Sequence, residues 1–463
     1  MMNRVVFLII LFLVASINCS FAQKDTLSIN LSNAQQYALE NNKELLNAKE
    51  DIALSEAEYK DARAQGLPQV DGTMDYTTNF NYEFEFSARS SEDFSMPDID
   101  YSLLDEGDKE ILTALGEIMA PSEPSTIVME DQMNARVQVS QLIFSGQYWV
   151  GLKTAKIAKD LARKQVDKTE LEVKEQITNT YYLILVSEQS LDILNENLSN
   201  LRDVLEHTKN QYESGLLEKS DVDQIRMNVS KLENSRESTK RNIRVNYKML
   251  KLQMGFDRDK ILVLEDSLES VLRKTEDHLL VEELNPEDNP SFQLIDEQEE
   301  MKEKQVDLQK WSYAPRLSGF YSYTEKIMTT GFDLSPNNAA GFTLSIPIFS
   351  SGSRKAQISK AKIELDKTRR DKELLKDQLR LQEEQLKYEV KSAMENYQTQ
   401  KENVEVAESV YNSIYNKYKQ GVVSSLDLTQ ANNNYLEAKS NYITSVLELL
   451  QAKLDLEKLH GML

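Results

Sequence analysis

One interval organises the chain. Tyr212, Gly215, Asp221, Gln224, Asn228 and Gly255 each recur 206 residues later, as Tyr418, Gly421, Asp427, Gln430, Asn434 and Gly461, with no gap. The same interval runs upstream through Asn210/Asn416, Tyr182/Tyr388 and Ile157/Ile363 to Gly146/Gly352. A gapless match of that length between helix-like stretches predicts two sets of helices of equal length, standing side by side as pseudo-equivalent units. A second interval, 247 residues, governs the front of each half, where Asn42, Pro68, Gly72 and Tyr76 return as Asn289, Pro315, Gly319 and Tyr323. The intervals differ by 41 residues, a net insertion in the first half between Tyr76 and Gly146.

Ser32 opens a helix-like run in which Ala34, Tyr37, Ala38, Leu45, Ala48 and Ile52 share a face, until Gly66 and Pro68 stop it. The hydrophobic period then changes. Val70, Gly72, Met74 and Tyr76 alternate with polar residues, as do Val137, Val139, Gln141 and Ile143 before Gly146. The second half repeats the pattern with Leu317, Gly319, Tyr321 and Tyr323, then Phe342, Leu344, Ile346 and Ile348 before Gly352. Each half thus carries two strands of roughly ten residues, the length a tilted strand needs to cross hydrocarbon. From Trp149 and from Ser353 the chain is proline-free and rich in Lys, Glu, Gln, Leu and Ala. Helices there run to roughly 90 to 100 Å before breaks at Gly215 and Gly421. Second helices follow, from Ser220 to Met254 and from Leu426 to Leu459.

The insertion, about 81 to 131, holds Glu83, Glu85, Glu92, Asp93, Asp98 and Asp100 among many acids, with only Arg89 and Lys109 as bases. It reads as a solvated acidic loop between two strands of one hairpin, since no EF-hand spacing appears in it. At the N-terminus Arg4, the apolar run Val5 to Ile17 and Ser20-Phe21-Ala22 form a secretory signal over residues 1 to 22. Cys19 fits a lipobox poorly, with Asn18 where a small residue is wanted, and leaves with the signal if cleavage follows Ala22. No later stretch has the length and apolarity of a membrane helix, which leaves a soluble exported protein or a β-barrel. The formal net charge of −22 argues against nucleic acid as a partner. His207, His278 and His460 are scattered, and no Walker loop or His-Glu-x-x-His occurs. Neither catalysis, nor a metal, nor a cofactor is expected.

The signal, and two halves each ordered helix, strand, strand, long helix, turn, long helix with a Tyr-x-x-Gly turn and an Asp six residues after the Gly, resemble the outer-membrane efflux proteins, the TolC-like channels. Ile346-Pro347-Ile348-Phe349-Ser350-Ser351-Gly352 and Gln141-Leu142-Ile143-Phe144-Ser145-Gly146 resemble the family's strand-to-helix junction. The resemblance spans the mature chain. It implies a mainly α fold with a membrane β-barrel, as two repeats, 23 to 257 and 286 to 463, joined by a linker, 258 to 285. It further implies a homotrimer with a twelve-stranded barrel in outer-membrane lipid and a helical tube in the periplasm. The function implied is a passive exit duct for efflux or type I secretion, working with a periplasmic adaptor protein and, through it, an inner-membrane pump.

By the same resemblance, Tyr212, Gly215, Leu216 and Leu217, with Tyr418, Gly421, Val422 and Val423, form the tip that meets the adaptor. Both glycines also have a sufficient reason in the turn itself. Asp221 and Asp427 match the aspartates of the periplasmic aperture, Asp223 lies beside them, and Gln430 stands where familiar members carry a second aspartate. Each Asp could equally begin its helix, and the two roles are compatible. Val423 replaces a latch arginine of some members, so closure is expected to rest on packing and on hydrogen bonds from Tyr212 and Tyr418. The competing class is a periplasmic or surface coiled-coil rod without a pore, which has no use for the four alternating strands. An adaptor would need a compact biotin-carrier-like β domain, and none is visible.

Overall fold

The computed structural model describes residues 26–80, 82–86, 100–119, 125–274, 283–328 and 335–463. The segment read as a secretory signal, Cys19 and His278 lie outside the described residues. The chain divides into two compact units, whose boundaries fall inside four of its helices.

One unit comprises residues 60–152 and 307–356 and is built on an antiparallel sheet of four strands, β2 (Gln69–Thr77), β5 (Gln132–Ser145), β7 (Arg316–Met328) and β8 (Asn338–Ser345). The strand order is β2-β5-β7-β8, so each half of the sequence contributes two adjacent strands. Because side chains alternate along a strand and cross-strand partners share a face, the register sorts the residues. Val70, Val139, Tyr321 and Ala340 align on one face, with Met74, Tyr76, Val137, Tyr323, Phe342 and Leu344 beside them. The opposite face carries Asp71, Gln138, Ser322 and, one row on, Thr73, Arg136 and Thr324. The apolar face is exposed in the single chain; on the polar face Ser322 is buried, while Asp71, Thr73 and Arg136 are exposed as well. Tyr321 is 50% exposed while Ser322, its polar-face neighbour, is 8% exposed. A sheet folded for water has the opposite arrangement; this one suits hydrocarbon outside and water inside.

Besides a register shift between Met133 and Asn134 at the start of β5, two details depart from simple alternation. A bulge shifts the β5–β7 register between Leu142 and Phe144, so Ile143 is not a regular member of the apolar row. Gly319, paired with Gln141, leaves space beside it: a Cβ there would lie 3.2 Å from both Ile143 Cδ1 and Phe342 Cδ1. Strand β8 ends at Ser345, so Ile346 and Ile348 fall outside the strand they were expected to join. Pro347 holds the residue before it in an extended conformation and has no N–H to donate to the ladder.

The described part of the insertion is more than a loop. Strands β3 (Tyr82–Phe86) and β4 (Ser125–Met129) pair antiparallel just beyond β2 and β5, and a helix, α3 (Glu106–Met119), lies between them. The acidic residues masked two structural signals, the alternation around Glu83 and the helical spacing of Ile111, Leu115 and Ile118.

The other unit, residues 26–59, 153–306 and 357–463 of the described chain, is dominated by helices. Helices α1 (Leu31–Asn41) and α2 (Lys43–Ala64) lead the first half, and α7 (Pro290–Trp311) the second. The long pairs are α4 (Gly146–Glu213) with α5 (Lys219–Met254), and α8 (Ser353–Lys419) with α9 (Ser425–Leu459). Helices α4 and α8 have 68 and 67 residues, about 100 Å each at the α-helical rise. The segment read as a linker carries strand β6 (Ile261–Leu264) and helix α6 (Leu268–Lys274). Strand β6 pairs in parallel with β1 (Thr26–Ile29), and Tyr181 secures the junction. Its hydroxyl donates to Asp266 Oδ2 at 2.9 Å, and Leu31 N–H donates to the same oxygen at 2.9 Å. Burial raises the Tyr181 pKa. Among the described residues no helix is long and apolar enough to cross a membrane. His460, one of the scattered histidines, is buried at the end of α9.

The two repeats are locked by the same device. Buried Asn42 donates from Nδ2 to the carbonyl of Gln253 at 2.6 Å and accepts at Oδ1 from Leu45 N–H at 2.9 Å. Buried Asn289 donates to the carbonyl of Leu459 and accepts from Ser291 N–H, both at 2.9 Å. Each asparagine therefore ties the front of its repeat to an end-carbonyl of the last helix, which would otherwise be buried without a partner.

Candidate functional site

The predicted tip residues meet where α4 turns into α5 and α8 into α9. Both turns close with the same left-handed glycine motif. Gly215 has φ +76° and Gly421 φ +71°; Leu216 N–H donates to Gln211 O at 2.9 Å and Val422 N–H to Lys417 O at 3.0 Å. These bonds satisfy carbonyls that the helix leaves open. A Cβ at either glycine would meet nothing within 4 Å, so backbone angle alone explains them locally. Leu216 and Val422, the residues that follow, are 73% and 67% exposed. Leu217 and Val423 are half-buried, and Val423 packs against a core that includes Leu198, Leu201, Ile225 and Leu428.

Each aspartate caps the helix it begins. Asp221 Oδ2 accepts from Glu218 N–H at 3.1 Å. Asp427 Oδ2 accepts from Ser424 N–H at 3.0 Å and from Ser424 Oγ at 2.6 Å, while Ser424 Oγ takes the Asp427 N–H at 3.2 Å. This is a reciprocal capping box. The Ser424 hydroxyl and N–H lower the Asp427 pKa. Asp223 pairs with Arg226 at 2.8 Å, and Gln430 Nε2 donates to Asn434 Oδ1 at 2.8 Å.

The pseudo-equivalent tyrosines differ. Tyr418 is 3% exposed and its hydroxyl lies 2.6 Å from Thr208 Oγ1 on α4, a buried contact between the repeats. Tyr212 is 43% exposed. Further polar contacts join the repeats beside it. Ser425 Oγ donates to Asp221 Oδ1, Asn228 Nδ2 to Thr429 Oγ1 at 3.4 Å, and Asn197 and Asn432 exchange amide hydrogen bonds in the core. The sequence reading had not singled out Thr208, Ser424 or Ser425. Ser424-x-x-Asp427 is a legible capping pattern, whereas Thr208 and Ser425 are visible only once the helices are packed.

The chain is 21% identical over 337 residues to the outer membrane protein TolC of Vibrio cholerae, covering 70% of this chain and 76% of that one. Its fold resembles the CmeC outer membrane channel of Campylobacter jejuni, with TM-score 0.68, 16% identity, and coverage of 94% of this chain and 86% of that one. It also resembles VceC, an outer membrane protein of V. cholerae, with TM-score 0.68, 15% identity, and coverage of 93% and 96%. The model of the family described as outer membrane efflux protein matches residues 125–255 and 286–462, well over half of the sequence, and the chain belongs to that family.

Proposed function

We propose that this outer-membrane efflux channel works as a homotrimer and serves as the exit duct of a tripartite efflux or type I secretion assembly. One observation carries the reading: a four-stranded sheet with an exposed apolar face and a polar face, whose edge strands β2 and β8 have no further strand partner among the described residues. Open edges are not tolerated in lipid, and four strands do not close a barrel. Three copies supply twelve, with the polar row of Thr73, Arg136 and Thr324 lining the conduit.

The tip is the adaptor's docking site in this reading. Leu216 and Val422 present exposed apolar side chains at both turns, and such pairs favour a protein partner over water. Asp221, Asp427 and Asp223, with Gln430 nearby, surround the aperture. A carboxylate has two oxygens, so capping through one leaves the other oxygen of Asp427 open to a cationic partner at the aperture. Energy for transport comes from an inner-membrane pump acting through the adaptor.

The test is the protomer number of the detergent-extracted protein by light scattering, with negative-stain images and planar-bilayer conductance. Trimeric hollow particles that conduct are expected; monomers or solid rods would remove the duct. In an export assay, Gly421→Arg is expected to abolish efflux while the trimer persists. Loss of the trimer in that variant would return Gly421 to a folding role.

A further inference from the structure

The two repeats use the same helix face differently. On α9, Ser425, Thr429 and Asn432 are buried against the first repeat, each bonded to it. Their counterparts 206 residues earlier on α5 are Lys219, Asp223 and Arg226, at the same i, i+4, i+7 spacing. In the single chain Lys219 and Arg226 are exposed and Asp223 is half-buried. The residues that receive the contacts show the converse. Asp221 and Asn228 on α5 are engaged with α9, while their counterparts on α9, Asp427 and Asn434, are exposed. Each chain therefore ends with one face of α5 and one face of α9 open, and the two are the halves of a contact that it already makes internally.

We infer that α5 of one copy docks on α9 of the next copy in the pseudo-equivalent geometry, joined by an ion pair between Lys219 and Asp427 across the boundary. In a ring of three copies the repeats alternate, so the step from first to second repeat within a chain maps onto the step from second repeat to the neighbour's first. Under that map Ser425 bonded to Asp221 becomes Lys219 facing Asp427, an ammonium replacing a hydroxyl as donor to the same carboxylate position. Asn228 donating to Thr429 becomes Asn434 donating to the Asp223 carboxylate. Donor meets acceptor in both. Charge complementarity of this kind fixes register between copies more than it adds affinity. The seam is confined to the tip: the pair Lys439 and Glu196, at 3.3 Å, maps onto Glu233 and Glu402, which repel. Glu233 is held instead by Arg202 of its own chain.

The inference rests on the trimeric reading, and the test separates the two. In a Cys19→Ser background, Lys219→Cys and Asp427→Cys are combined, the membrane fraction is oxidised, and the protein is examined on non-reducing and native gels. A shift from one chain mass to two and three is expected, with each single-cysteine variant unshifted. A native trimer that yields no interchain cross-link overturns the seam and leaves the trimer standing; a native monomer overturns both. Charge exchange supplies a second readout. Lys219→Asp alone and Asp427→Lys alone should raise closed-channel conductance in planar bilayers, and the double variant should return toward the parent. A double variant as leaky as the singles would overturn the ion pair.

Discussion

Gly255 and Gly461 are needed for two reasons, Gly215 and Gly421 for one. All four have φ between +68° and +76°, which costs an L-residue about 1 to 2 kcal/mol. At Gly255 a Cβ would also lie 2.1 Å from the Asn41 carbonyl oxygen, and at Gly461 3.3 Å from that of Asp288. Alanine at Gly255 should therefore lower the thermal midpoint most, at Gly461 less, and at Gly215 least, as followed by circular dichroism of the detergent-extracted protein. The tyrosines offer a parallel contrast. Tyr418→Phe removes a hydrogen bond from buried Thr208 and should cost about 1 kcal/mol, while Tyr212→Phe should be nearly neutral in stability. Nearby Tyr411, stacked on Tyr435 at 5.4 Å, has its phenol pushed up to about 12, first by burial. A folded value above the ordinary 10.0 means that its contribution is whole below pH 10 and lost as pH rises toward 12. Unfolding midpoints should stay level up to pH 10 and then fall, with a smaller drop in Tyr411→Phe.

At the scale of elements, the sheet makes the sharpest prediction. Phe342 and Thr343 are sequence neighbours on opposite faces of β8. Arginine at Phe342 should cost about 2 to 4 kcal/mol if that face meets lipid, and arginine at Thr343 little, since it enters the polar face. Outer-membrane abundance of the two variants measures the difference, and equal tolerance would remove the lipid assignment. The strands were legible from their period-two alternation and the long helices from proline-free runs of helix formers, and the 206-residue interval showed the long helices twice. What escaped notice was structure with short or mixed signals. Strands β1 and β6 have four residues each and are held by long-range bonds from Tyr181 and Asp266. Helix α3 lay under an acidic composition. At the tip, the glycine turns and the capping role of the aspartates were readable from local pattern. The partners Thr208 and Ser425 were not, because their contacts join residues more than 200 positions apart.

For the whole molecule, the surface left apolar on α8 bears most directly on assembly. Ile363, Leu374, Leu381 and Tyr388 are all exposed in the single chain, and their intervals of eleven, seven and seven residues keep them on one side of the helix. A seven-residue repeat of large apolar side chains is the pattern of a helix that packs along another helix. Within the chain the opposite contacts are already made: Leu365, Leu379, Leu386 and Val390 are buried, the last three in a core with Phe292 and Leu456. The exposed stripe therefore has no role in folding one copy and a natural one between copies. Burying a leucine contributes about 2 kcal/mol, and threefold symmetry repeats each loss three times. Leu374→Glu with Leu381→Glu should accordingly leave helical content unchanged while shifting the extracted protein from trimer toward monomer. Light scattering reads the mass and circular dichroism the helix content. A fully trimeric double variant would show that the stripe faces solvent in the assembly and that the copies are held by the barrel and the tip alone.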